Sequence, residues 1–220
     1  MGIIRCRILG NSYVGAFLVP TDKYVLVAKS SSQKERDEIE SALGVNAIGV
    51  SIDGSDLIGI YIAANSKGVL LPFSAREEEV KKIKEETGGE VRVMKTKLNA
   101  LRCNILANDK LGLVNVDFTR EEVKEIEDVL DIEVIKKEIG NYKTPGANCI
   151  MTNKGFVATT AATDEEMEEI RKIFPNAAQS TANLGSKSIG ICCAANSKGL
   201  VVGELTTGYE LGRISDALML

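Results

Sequence analysis

The feature that most constrains this chain is a repeat. Residues 54–68 read GSDLIGIYIAANSKG and residues 185–199 read GSKSIGICCAANSKG, a match at 11 of 15 positions across a separation of 131 residues. That separation is close to three times 44, and the 220-residue length is five times 44. Self-similarity at such a period points to a solenoid, propeller or array. The turn signal of Asn65 to Gly68 recurs from Asn108 to Gly112, Asn153 to Gly155 and Asn196 to Gly199. One period earlier, Thr21-Asp22-Lys23-Tyr24 reads as the same turn without its glycine.

A second, chemically independent series keeps the beat. Capping boxes, in which Ser or Thr and a Glu three residues later satisfy each other's backbone amides, fall at Ser32/Glu35, Ser74/Glu77, Thr119/Glu122, Thr163/Glu166 and Thr207/Glu210. An apolar stripe at helical spacing follows each, as in Val123, Ile126 and Leu130. Before each helix the sequence predicts a hairpin. Ile58 to Ala64 is apolar throughout and reads as a strand covered on both faces, and Val69 to Leu71 reads as its partner. After the helix a more alternating strand follows, as in Glu90 to Met94. Each unit is therefore expected to be β-β-α-β, with helices outside and strands toward an axis.

The fifth helix has no third strand after it, while Ile3 to Leu9 is a strand with no helix before it. Joining the two closes a ring and removes exposed strand edges. The expected fold is α/β, a closed ring of five pseudo-symmetric β-β-α-β repeats. It forms one domain over 1–220, with repeats near 10–53, 54–97, 98–141, 142–184 and 185–220, the last completed by strand 1–9. A ring without open edges is expected to be a monomer. Phasing also aligns Gly15, Gly59, Gly146 and Gly190, which suggests close approach of backbones where the units converge. Arg102 takes the fifth such place and reads either as a solvated rim residue or as a charged contact for a partner. Lys95, Lys97, Lys136, Lys137 and Lys143 make the middle units the most basic.

Composition then narrows the chemistry. With no histidine there is no Ser-His or Cys-His nucleophile pair and no imidazole metal ligand. The five cysteines form no C-x-x-C pair and read as reduced, mostly buried residues of a cytoplasmic protein. Cys103, Cys149, Cys192 and Cys193 fall on or beside expected inner strands. No P-loop, dinucleotide fingerprint or metal-ligand spacing is present, so no catalytic residue, cofactor or metal is expected. A net charge of −4 argues against a general nucleic-acid binder. Apolar runs are far shorter than a membrane span, and MGIIRCRILGN carries no long apolar stretch of a secretory signal.

The in-phase segments GSDLIGIYIAANSKGVLLP, NALRCNILANDK, TPGANCIMTNKG and GICCAANSKGLVVGELTTGYEL resemble the archaeal translation initiation factor 6 family over essentially the whole chain. The resemblance implies the pentein fold, a fivefold pseudosymmetric α/β ring. It also implies a non-catalytic factor that binds the large ribosomal subunit near the sarcin–ricin loop. There it would contact a ribosomal protein and neighbouring rRNA and keep the small subunit away, with a part in large-subunit maturation. By the same resemblance Ile60 and Cys103 belong to the docking surface. Relatives usually read Ala-Leu-Gly-Asn where this chain has Ala100-Leu101-Arg102-Cys103, so Arg102 enters that surface as a substitute contact. Two alternatives stay open: a pentein enzyme modifying guanidino groups, which the missing histidine disfavours, and a scaffold ring for another protein.

Overall fold

A computed structural model of the chain describes residues 2–220; Met1, the first position of the expected N-terminal strand, lies outside them. The described chain opens with β1 (Gly2–Cys6). A 3-10 turn (Val14–Ala16) then leads into β2 (Leu18–Pro20), β3 (Tyr24–Ala28), α1 (Gln33–Leu43) and β4 (Asn46–Val50). The second unit runs α2 (Ile58–Tyr61), β5 (Ala63–Ala64), β6 (Gly68–Pro72), α3 (Glu77–Thr87) and β7 (Glu90–Met94). The third runs α4 (Leu101–Asn104), β8 (Ile105–Ala107), β9 (Leu111–Val114), α5 (Arg120–Leu130) and β10 (Glu133–Lys136). The fourth runs α6 (Pro145–Asn148), β11 (Ile150–Met151), β12 (Phe156–Thr159), α7 (Asp164–Ile173) and β13 (Ala178–Ser180). The fifth runs α8 (Ile189–Cys192), β14 (Cys193–Ala195), β15 (Gly199–Gly203) and α9 (Gly208–Leu218).

Each unit makes one three-stranded sheet in which the middle strand pairs antiparallel with the strand before it and parallel with the strand after the helix. In the fifth sheet the third place is taken by β1, which pairs in parallel with β15 from Gly2↔Gly199 to Cys6↔Gly203. The ring closes as the phase of the N-terminal strand requires. The one-turn elements close a second circle: Val14–Ala16, α2, α4, α6 and α8 each pack against the next, and α8 returns to Val14–Ala16.

The middle strands explain why the sequence is apolar along their whole length. Side chains alternate across a strand, and here the two faces feed two different cores. Val25 and Val27 of β3 join α1 and Val201 of the fifth unit, whereas Tyr24 and Leu26 join Ile58 and Ile83 of the second. The same alternation places Val69 and Leu71 in one core and Leu70 in the next. Five cores result, each shared between neighbouring units. The long helices turn their apolar stripes inward and most of their charges out, and α1, α5 and α9 rest closely on the sheet of the preceding unit.

Three sequence expectations need correction. The run Ile58 to Ala64 is not one strand: Ile58–Tyr61 is a single helical turn and only Ala63–Ala64 is strand. The second helix is capped at Arg76 instead of Ser74, and from one side only: the Arg76 amide donates to Glu79 at 3.1 Å, and the guanidinium has no acceptor to complete a box. Finally, the turn phase runs through Thr21, Asn65, Asn108, Thr152 and Asn196, whose amides bond Tyr24, Gly68, Leu111, Gly155 and Gly199. Asn153 and Gly112 are each one place late. At Thr21 and Thr152 the hydroxyl takes over the work of the asparagine oxygen, accepting the amides two and three residues on.

Candidate functional site

The two ends of the ring axis differ in how far their polar groups are already satisfied. At one end lie the five turns. The Asn65 amide donates to the Asn108 carbonyl (3.1 Å), Asn108 to Thr152 (3.0 Å) and Asn196 to Thr21 (2.9 Å), linking one unit to the next. The Asn153 amide bridges the Asp22 and Asp109 carboxylates at 2.8 and 2.7 Å, and these accept the Ser197 and Ser66 amides. The space left among the turns is about 20 Å³, roughly the room of one water. This end is closed on itself.

The other end is built from the one-turn elements, and glycine sets its dimensions. A Cβ on Gly59 would lie 2.0 Å from the Gly15 carbonyl oxygen, one on Gly15 would lie 2.3 Å from that of Gly190, and one on Gly190 would lie 2.1 Å from that of Gly146. A Cβ on Gly146 would lie 1.9 Å from the Arg102 oxygen. Backbones meet with no room for a side chain, which is what the phased glycines imply. The fifth place, Arg102, carries one. Its guanidinium turns across the mouth and donates from Nη1 to the Gly146 carbonyl at 3.2 Å.

Arg102 is half-buried instead of lying free on a rim. Among the described residues no carboxylate lies within ion-pairing distance of it. Burial pushes its pKa down, with a small opposing influence from the neighbouring Cys103. The residues after the five axial places are Ala16, Ile60, Cys103, Ala147 and Ile191, and all but Ala16 are half-buried. Ile60 and Cys103 thus stand on adjoining turns, α2 and α4, with Arg102 beside them. The site is a shallow apolar collar holding one uncompensated cation.

No thiol near the axis is set up as a nucleophile. Burial raises Cys103, outweighing the help of Arg102. Burial also lifts Cys149 to about 12 and pushes Cys192 and Cys193 up. Among the described residues no cluster of Cys, Asp and Glu has the arrangement of a metal site, and no helix is long and apolar enough to cross a membrane.

One joint around this mouth departs from the other four. Leu9-Gly10, Asp53-Gly54, Gly140-Asn141 and Asn183-Leu184-Gly185 all have positive φ, and each closes a bridged turn just before the one-turn element. A helix-capping glutamate reaches over to the amides of each turn: Glu35 to Leu9, Glu79 to Asp53 and Gly54, Glu166 to Gly140, and Glu210 to Gly185. The connection from β7 to α4, residues 95–100, has neither the bridged turn nor the glutamate. It leads directly to Arg102. No sequence signal beyond the missing Gly in KTKLNALR announced that difference.

The eIF-6 family profile matches residues 3–217. The chain is 38% identical over 224 residues to translation initiation factor 6 of Pyrococcus abyssi, which covers 99% of both proteins. It is 36% identical to translation initiation factor 6 of Thermococcus onnurineus, over 99% of this chain and 98% of that protein. For translation initiation factor 6 of Thermoplasma acidophilum the identity is 34%, over 98% and 99% of the two chains.

Proposed function

The chain belongs to the eIF-6 family, and on that premise we propose that it is a translation initiation factor that binds the large ribosomal subunit and sterically blocks the small one. A part in large-subunit maturation and a cytoplasmic place of work go with that reading. The docking surface is the one-turn end of the ring, with Ile60, Arg102 and Cys103 in contact with the subunit. The observation that carries this choice is the asymmetry of the axis. The turn end has its carboxylates and amides matched to one another, whereas the one-turn end presents half-buried apolar side chains and a guanidinium without a carboxylate. A half-buried cation with a carbonyl but no carboxylate beside it is under-compensated in the free protein, so a partner that covers it with an oxyanion gains what the free ring lacks.

The activity proposed is binding alone, with no cofactor or metal. The raised thiols and the missing histidine disfavour the guanidino-modifying alternative. Co-sedimentation of the monomeric protein with large but not small subunits in sucrose gradients, together with inhibition of their joining, is the expected result. Unaltered joining at excess protein would overturn the reading and leave a scaffold ring for some other partner. Arg102→Glu is expected to weaken subunit binding at an unchanged melting temperature.

A further inference from the structure

A second surface lies between the third and fourth units and uses none of the residues of the ring mouth. In three of the five joints the long helix of one unit lies on the sheet of the unit before it: α1 on β15 and β1, α5 on β6 and β7, α9 on β12 and β13. α7 has no such extensive contact with β9 or β10. The space between them is an open cleft of about 110 Å³. Its walls are Leu111, Leu113, Ile135, Phe156, Ile170 and Phe174, and its lip is Ile173, 54% exposed. Standing off does not by itself make an apolar cleft. The gap between the first unit and α3 is lined by Lys29, Ser51, Glu78, Glu79 and Lys82.

The strand beside the cleft is also open. The outer strand β4 has its Gly49 carbonyl taken by Lys82 of α3 at 2.6 Å, and β13 has its Gln179 carbonyl taken by Arg213 of α9 at 2.8 Å. Lys82 and Arg213 are each the sixth residue of their helix; α1 and α5 have Glu38 and Glu125 there, but these helices rest directly on β1 and β7. The sixth residue of α7 is Glu169, which cannot donate and pairs with Lys137 instead. Among the described residues no α7 side chain reaches a β10 carbonyl. Glu133, Ile135 and Lys136 of β10 are exposed, more than in any other outer strand. An uncovered edge is a template for another strand.

We propose that the edge of β10 and the adjoining cleft form a docking site for an extended basic segment of a protein partner, which adds a strand and seats one large apolar side chain. Three features fix that occupant. Strand addition supplies the main-chain bonds, and a pocket beside the edge supplies the choice of side chain. The volume is of the order that holds a single ring or branched aliphatic group, given that a cavity of about 150 Å³ takes up benzene. Around the edge and the cleft the carboxylates of Glu133, Glu138, Asp164, Glu165, Glu168 and Glu169 outnumber the cations Lys136, Lys137, Arg171 and Lys172, so the segment's flanks are cationic.

The probe is a fluorescein-labelled peptide, Lys-Val-Lys-Phe-Lys-Val-Lys, titrated into the full chain and followed by anisotropy. Saturable binding is expected, weakened at least tenfold by Ile173→Glu, an exposed change that leaves the fold intact by circular dichroism. Replacing the peptide's valines with proline, or its lysines with glutamate, should weaken it similarly. Amide exchange across Glu133–Lys136 should slow in the complex. The proposal fails if the peptide does not saturate, if Ile173→Glu binds it equally, or if the proline or glutamate peptide binds as well. It also fails if sedimentation shows the protein pairing with itself through this edge. Loss of large-subunit binding is not among these outcomes, so the two surfaces are judged separately.

Discussion

Gly199 and Leu111 occupy the same place in their units, the first residue of the middle strand, yet the joints that follow them are built differently. A Cβ on Gly199 would lie 1.9 Å from the Ala42 oxygen of α1, one on Gly68 would lie 2.0 Å from that of Val129 in α5, and one on Gly155 would lie 2.1 Å from that of Ala217 in α9. At these three joints the helix rests directly on the strand. Tyr24 and Leu111 put side chains into the same space, and α3 and α7 stand away. Hydrogen bonds follow the difference. Asn196 and Asn65 each extend a second bond to the last carbonyl of the neighbouring helix, Leu43 (2.9 Å) and Leu130 (2.8 Å). Asn108, before Leu111, donates to the Thr152 carbonyl and to no helix carbonyl. The absence of a side chain at one position per unit therefore decides whether a joint is sealed or left open.

The comparison can be broken most severely at the joint between the fifth and first units. Deleting residues 1–7 removes β1 and uncovers one edge of β15. The expected loss is several kcal/mol in urea unfolding, on the scale of about 1.5–3 kcal/mol for each buried aliphatic side chain. Next in size, Gly68→Ala should destabilise by about 3 kcal/mol, because its Cβ meets helix backbone that cannot yield. Leu111→Ala, at the open joint, should cost only about 1 kcal/mol, since the side chain is half-exposed. Equal losses at these two positions would refute the division into sealed and open joints. Asn196→Ala should cost about 1 kcal/mol more than Asn108→Ala, because both side-chain oxygens accept two turn amides but Asn196 donates to two carbonyls and Asn108 to one.

The smallest effect expected is one of pH. Burial alone would raise the Glu79 carboxyl, but amides of Arg76, Asp53 and Gly54 and the Ser51 hydroxyl outweigh it and hold the group below its ordinary value. Glu210 is likewise buried yet held low by Thr207, Thr181 and Gly185. Carboxylates lowered in the folded state contribute stability that is complete above the unfolded value of about 4.3 and fades as pH falls through the folded value. Amide protection near Gly54 and Gly185, corrected for the intrinsic pH dependence of exchange, should therefore fall below about pH 4.3, while that of the β7–α4 connection, which has no such glutamate, should change less.

The five-unit beat was legible because it is written twice, in turns and in helix caps, and neither depends on what the other packs against. The four axial glycines were legible for the same reason: a position that tolerates no Cβ can hold nothing else. Ile58 to Ala64 was misread because an apolar run fits equally a strand and a buried turn of helix. The crowding around Gly59 that decides it is made by residues 44 positions away. Thr152 escaped the turn pattern because a hydroxyl does what the amide of Asn65 does through different letters. Leu111 carried no sign at all of an open joint, since its effect lies in the next unit's helix. At the mouth, sequence phase brought Ile60, Arg102 and Cys103 onto adjoining turns, but Arg102 lying half-buried across the axis follows only from the fold around it.

The pairing of β1 with β15 joins residues that are nearly 200 positions apart. A chain made from its N-terminus exposes Gly2–Cys6 first and Gly199–Gly203 almost last. The other four sheets can each form from contiguous stretches as they emerge, with low contact order. The last sheet waits on a strand that has been solvent-facing throughout synthesis. Arg5 and the partly exposed Ile3 and Cys6 suit that wait better than an unbroken aliphatic strand would. The earliest-made strand of the five sheets is the last to be placed, and every unit must already be in register when it arrives.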